Sequence, residues 1–355
     1  MALSLLSAEK KRDHLISVDL GGRTTKAAQL ERRGNGFALT GYVLMDAPIY
    51  EKSIPAEMLT EHLKAVCDQL KPKGRTLTLA LGVSDALVRH AELPQMPVGD
   101  MRQVLKNNSR NYLQQDLPGH VFDCYVIPPR AQAKTATSKT PAGQAKFRVL
   151  VAGAKAQVVD TVENAIRQAG LTADHLVPAL IGPVNAFEAA MPEVFAAEVV
   201  ALVDIGFKHT SVAVLEQGEL VLSRVVAIGG DKITSGLAES LGISYAEAEG
   251  IKIGMPHEVE AQLEGTLLPL CRDLRASIDF FEHQHDKVVS TVYLSGASSR
   301  SEFIVQTLRK ELMVDVKTWS PFGRLSMELP LDQTAELEHV GHQLTTALGA
   351  AYATF

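Results

Sequence analysis

Three short turns along the chain carry the residue types that handle an anion. The first is Asp19-Leu20-Gly21-Gly22, followed by Lys26 a few residues into the next segment. Glycines let backbone N–H groups come close to a phosphate, and a lysine supplies a compact positive charge. The second is Asp204-Ile205-Gly206, with Thr210 placed as the residue before Lys26 is placed in the first. The third is Gly229-Gly230-Asp231, which leads into a helical pattern whose first N–H groups are available to an anion. Two carboxylates facing across a cleft, Asp19 and Asp204, suit a hydrated Mg2+, which takes few protein carboxylates and fills its sphere with water and phosphate oxygens. Each turn alone reads as an ordinary strand end. Their order gives them meaning.

The elements that must position them follow from hydrophobic period. ISVDLGG, TTKAAQLERRG and NGFALTGYVLM form a three-strand meander. Ala56 to Leu70 is a helix with Met58, Leu59, Leu63, Val66 and Leu70 on one stripe, and TLTLALG at 76–82 is a strand apolar on both faces. VRHAELPQMP then leads into a helix over Val98 to Leu113, the strands VFDCYVIPP and KFRVLVAGA, and a helix over Ala156 to Ala169 closed by Gly170. That order predicts a small α+β unit inserted into the first lobe. The second half repeats the opening meander as VVALVDIG, HTSVAVLEQG and ELVLSRVVAIGG. Helices follow near 231–241 and 244–252, with a long one from about Val259 to Phe281. STVYLSGASS is a strand and turn, Ser301 to Leu312 a helix, MVDVKTW a strand, and a helix near 336–350 closes the chain. The repeat predicts two related lobes with a cleft between them.

Composition narrows the classes. A chain of 355 residues is long for one domain and suits two lobes. Mean hydropathy of +0.05 describes a soluble α/β protein. Net charge −6 argues against gripping a nucleic-acid backbone. Cys67, Cys124 and Cys271 are few and far apart, which fits reduced thiols and suggests no metal knuckle. The amino terminus does not have the form of a secretory signal, and the apolar stretch Leu176 to Ile205 is interrupted by Glu188, Glu193 and Glu198, so it is not expected to span a bilayer. From Arg130 to Arg148 a basic, Ala/Thr/Ser-rich loop has no acidic residue; a mobile loop kept soluble by charge fits it, as does a contact for an acidic partner or anionic lipid headgroups.

Taken in order, ISVDLGGRTTK resembles the first phosphate loop of the actin-like ATPase superfamily, LVDIGFKHTSVAVLEQGEL its second, and VYLSGASSRSEF its adenosine loop. The stretch from DIGFKHTS to AEGIKIG is similar to the PilM family of type IV pilus assembly, with the FtsA division proteins next. The resemblance runs from about Ile16 to Ala350. It implies an α/β, two-lobed actin-like (ribonuclease H-like) fold with an inserted α+β subdomain. The expected divisions are a tail over 1–14, a first-lobe core over 15–84 completed by 320–355, the insertion over 85–170 and the second lobe over 171–319.

The resemblance implies ATP and Mg2+ as cofactors, with Asp19, Gly21, Gly22 and Lys26 at the first phosphate turn and Asp204, Gly206 and Thr210 at the second. Gly229 and Gly230 would flank the phosphates, Glu249 and Lys252 would meet ribose and adenine, and Gly296, Ala297 and Ser298 would line the base. Without the resemblance, Glu249 and Lys252 read as a solvent-facing ion pair. It further implies a cytoplasmic scaffold, peripheral to the inner membrane, that binds the short tail of a PilN-like membrane protein in a groove beside the insertion. Self-association occurs in some relatives; nucleic acid and direct membrane insertion are not expected. Two departures stand out. The usual Gly-Gly of the adenosine loop is Gly296-Ala297, and Val177 stands before Pro178 where relatives have Glu. Valine cannot polarise an attacking water, so binding is better supported than hydrolysis. An FtsA-like division protein, a sugar or acid kinase and a nucleotide-free adaptor are the competing readings. The expected end of the chain at GAAYATF lacks an FtsA-type tether, and no substrate-binding cluster for a kinase is visible.

Overall fold

The computed structural model describes residues 13–34, 36–51, 53–129 and 145–354. The terminal tail over 1–12 and most of the basic loop, 130–144, lie outside them. The first meander is β1 (His14–Leu20), β2 (Thr24–Arg33) and β3 (Gly36–Asp46), followed by α1 (Ala56–Leu70) and β4 (Thr76–Leu81). Next come β5 (Ala86–Pro94), α2 (Val98–Leu113), β6 (His120–Val126), β7 (Lys146–Lys155), α3 (Ala156–Gln168) and β8 (Thr172–Pro178). Helices α4 (Ile181–Ala190) and α5 (Pro192–Ala197) lead to β9 (Val199–Ile205), β10 (Thr210–Glu216) and β11 (Glu219–Val226). The chain continues through α6 (Gly230–Leu241), α7 (Tyr245–Gly254), α8 (Glu260–His285), β12 (Thr291–Ser295), α9 (Glu302–Leu312), β13 (Asp315–Thr318), β14 (Ser326–Met327), α10 (Leu331–Val340) and α11 (Thr345–Tyr352).

One sheet has the order β14-β3-β2-β1-β4-β8 and the second β11-β10-β9-β12-β13. Removing the short β14 leaves the same pattern twice: an antiparallel meander whose first strand is joined in parallel by two more. The repeat seen in the sequence is therefore a repeat of topology. Buried residues of α1 and α3, including Leu63, Val66, Val162 and Ile166, cover one face of the first sheet. In the second lobe, α6, α8 and α9 cover theirs through Ile233, Leu267, Leu274 and Leu308.

The boundaries at 170 and 171 need correcting. Strand β8 pairs in parallel with β4, with Leu79 opposite Leu176, so residues 172–178 belong to the first sheet. Parallel neighbours need a crossover, and α3 supplies it, packed against α1. The insertion proper is β5, α2, β6 and β7. Its sheet runs β5-β7-β6, which adds a strand where the sequence had suggested only a lead-in to a helix. Polar residues Arg89, His90 and Glu92 interrupt the apolar alternation of β5 and disguise it.

Helices α4 and α11 cross between the lobes. A Cβ at Gly349 would run into the Gly182 carbonyl, and Asn185 Nδ2 donates to the Gly349 carbonyl at 3.0 Å. Only glycine permits this backbone contact.

Candidate functional site: the cleft between the lobes

A cavity of about 890 Å³ lies between the lobes and is lined by residues of all three turns. Strand register explains why. Asp19 stands opposite Lys26 across β1 and β2, and Asp204 stands opposite Ser211 across β9 and β10. Each carboxylate thus leaves the end of its lobe's central strand and faces the other lobe's turn.

Lys26 Nζ donates to Asp19 Oδ2 at 2.9 Å, and Asp19 is buried. A Cβ at Gly21 would collide with this ammonium and with the Thr24 carbonyl, so glycine makes room for the lysine. Ser295, beside Asp204 in β12, donates from Oγ to Asp204 Oδ1 at 2.8 Å. Burial pushes the Asp204 carboxyl above the usual carboxylate range. The Ser295 hydrogen bond and the Lys26 charge pull it down, and the Asp19 charge adds to the rise.

Glu249 and Lys252 pair at 2.7 Å, yet they do not face bulk solvent. Lys252 is only 7% exposed, also donates to Thr234 Oγ1 at 2.7 Å, and lines the cleft. Burial raises the Glu249 carboxyl, but hydrogen bonds from Lys252 and Thr234 outweigh it and hold the group below its ordinary range. Gly296 turns at φ +86°, where a Cβ would strike the Ile205 carbonyl. Ala297 opens the 3-10 turn Ala297–Arg300, so its methyl fits without strain and lines the cleft with Ser298.

Three expectations are corrected. Thr210 points away from the cleft: its side chain is fully buried and donates to the Ile228 carbonyl at 2.7 Å. Ser211, one residue on and therefore on the other face of the strand, lines the cavity instead. The first two N–H groups of α6 are already used. Gly230 N–H donates to the Gly206 carbonyl at 2.9 Å and Asp231 N–H to the Phe207 carbonyl at 2.8 Å. Gly230 still lines the cleft, whereas Gly229 does not and serves to bring α6 against the second turn, where a Cβ would meet the Phe207 carbonyl. Finally, Val177 is fully buried in the apolar cluster with Ala80, Val184 and Leu202, and Ala179 is what reaches the cleft from the end of β8.

Sequence reasoning did not single out Arg23, Phe207 or Asp85, all of which line the cavity. Burial raises the Asp85 carboxyl, partly offset by a hydrogen bond from Ser84 and by the charges of Lys155 and His209. Among the described residues no cluster of three or more His, Cys, Asp or Glu could hold a metal, and no helix is long and apolar enough to cross a membrane.

Two sheets of one topology, facing each other across a cleft with mirrored Asp-bearing turns, define the actin/Hsp70-like class of two-lobed folds. Residues 17–355 match the family described as type IV pilus assembly protein PilM, and the chain belongs to that family. A solved PilM-PilN type IV pilus biogenesis complex is similar to it at TM-score 0.80 and 22% identity, over 98% of this chain and 100% of that one. MreB5 of Spiroplasma citri, solved bound to ADP, shares the fold at TM-score 0.53 and 10% identity, covering 95% of each chain. The cell division protein FtsA of Bacillus subtilis is 41% identical over 58 residues, which span 16% of this chain and 13% of that protein.

Proposed function

We propose that this chain is a nucleotide-binding scaffold of the type IV pilus machine, acting in the cytoplasm at the inner membrane and receiving the short tail of a PilN-like membrane protein. The observation that carries the reading is the pair of opposed turns, Asp19 with Lys26 and Asp204 with Ser295, in a chain of the PilM family. ATP would place its phosphates between those turns and its ribose and base towards Glu249, Lys252 and Gly296 to Ser298. Mg2+ fits the donor set. Two carboxylates in a polar cleft, one of them raised by burial and gaining from a nearby cation, match an ion held mainly through water and phosphate oxygens. When bound, the ion would neutralise phosphate charge; Lys26 and Ser295 fix the two carboxylates that would hold it. Hydrolysis would be weak or absent, because neither Val177 nor Ala179 can orient a water.

We infer that the tail binds in the part of the cavity lined by residues 47–51, by Ser53 and Ile54, and by α3. There Ile49 is 94% exposed and Tyr50 is half-exposed, beside Val158 and Val162. Exposed apolar side chains next to a cavity suit a short peptide with apolar anchors. Titration with a synthetic peptide of the partner's tail tests the reading. Binding that Ile49→Asp weakens is expected; no binding with or without nucleotide would refute the scaffold role.

A further inference from the structure

The two oxygens of Glu249 serve different neighbours. Oε2 accepts from Lys252 Nζ at 2.7 Å and from Thr234 Oγ1, both on its own lobe. Oε1 lies 3.4 Å from Nη1 of Arg23, which reaches it from the first lobe's turn. The same guanidinium stands 5.7 Å from the centroid of the Phe207 ring, on the second lobe's turn. The two turns nearly touch here: a Cβ at Gly22 would stand 3.6 Å from Phe207 Cδ1 and 3.9 Å from Lys208 Cγ. Arg23 therefore spans the mouth of the cleft with one end against an acceptor.

We propose that Arg23 is a specificity-determining residue that makes a polyphosphate a condition of filling the cleft; this rests on the nucleotide reading above. A ligand hydroxyl approaching Glu249 needs an oxygen, and Oε1 is the one its own lobe leaves open. Taking it deprives Arg23 of its carboxylate partner in a cleft already lined by Lys26, Lys155, Lys208 and Lys252. A ligand whose phosphates lie between the turns at 19–23 and 204–209 compensates at once, because a guanidinium pairs with phosphate through two parallel hydrogen bonds. A ligand with the same hydroxyls and no phosphate offers nothing in exchange. Arg23 thus passes from Glu249 to the phosphates when a nucleotide enters and penalises a nucleoside.

The test is calorimetric titration of the full chain with ADP and with adenosine, for the wild type, Arg23→Ala and Arg23→Lys. Arg23 is half-exposed, so the variants should fold, and a melting curve checks this. An exposed ion pair and a cation–π contact together suggest that Arg23→Ala narrows the ADP-over-adenosine preference about tenfold, adenosine gaining and ADP losing. Arg23→Lys keeps part of the preference, with a charge but no fork. If ADP binds and Arg23→Ala leaves the ratio unchanged, this proposal falls and the cleft reading stands. If ADP fails to bind the wild type, this proposal falls, and the cleft reading falls with it only if Mg-ATP also gives no heat.

Discussion

Asp204 sits in the cleft at an energetic cost. Its carboxyl is pushed up by burial and held in place by Ser295, so it carries a desolvation cost that a bound cation would relieve. Asp204→Asn should therefore raise the melting temperature, by the equivalent of about 1 kcal/mol, while reducing Mg-ATP affinity by on the order of 100-fold. Parallel melting and titration curves check the pair of effects. His342, whose carbonyl accepts from the Gly296 N–H at 3.4 Å, offers a pH prediction. Burial lowers its imidazole to about 4, helped by the Arg300 charge and opposed by a hydrogen bond with the Ala297 backbone. Between pH 6.5 and 4 the unfolded chain then binds a proton that the folded chain does not. Stability is full above pH 6.5 and is lost as pH falls, by roughly 1–3 kcal/mol from this group after allowing for its partial exposure. Denaturant titrations across that range should show the slope, and His342→Asn should flatten it.

At the scale of elements, the α4–α11 crossing depends on missing side chains. Gly349→Ala would press a methyl into the Gly182 backbone and should cost about 2 kcal/mol or more. Gly265 in α8 is exposed with open space around it, so Gly265→Ala should stabilise by about 0.5–1 kcal/mol. Opposite shifts in melting temperature are the expected outcome. The same scale separates what the sequence made legible from what it hid. Local patterns located β1, α1, β4 and the three turns, because alternation, the 3.6-residue stripe and glycine punctuation are properties of neighbours in the chain. Pairing was hidden: β8 lies closer in sequence to the second lobe's strands but hydrogen-bonds to β4 across the insertion. The choice between Thr210 and Ser211 was open to the strand's two-residue period, counted from the pairing of Asp204 with Ser211. Arg23 carried no signal, since its ion-pair partner Glu249 lies on the other lobe.

Across the whole molecule, the insertion links the lobes as well as extending the first. Edge strand β5 lies beside edge strand β11 of the second lobe. His90 Nε2 lies 2.8 Å from the Leu220 carbonyl, and Arg148 of β7 pairs with Glu219. Any change in lobe separation must therefore strain or break contacts to the insertion. Arg148→Ala should speed amide hydrogen exchange in β5 and β11 several-fold and leave the β1–β4 core unchanged. The central claim, that the opposed Asp-bearing turns form a working nucleotide site, is tested most directly by titrating the wild-type chain and Lys26→Ala with Mg-ATP in a calorimeter. The account predicts micromolar binding by the wild type that Lys26→Ala removes. No heat from the wild type up to millimolar ATP, or equal binding by the variant, would contradict it.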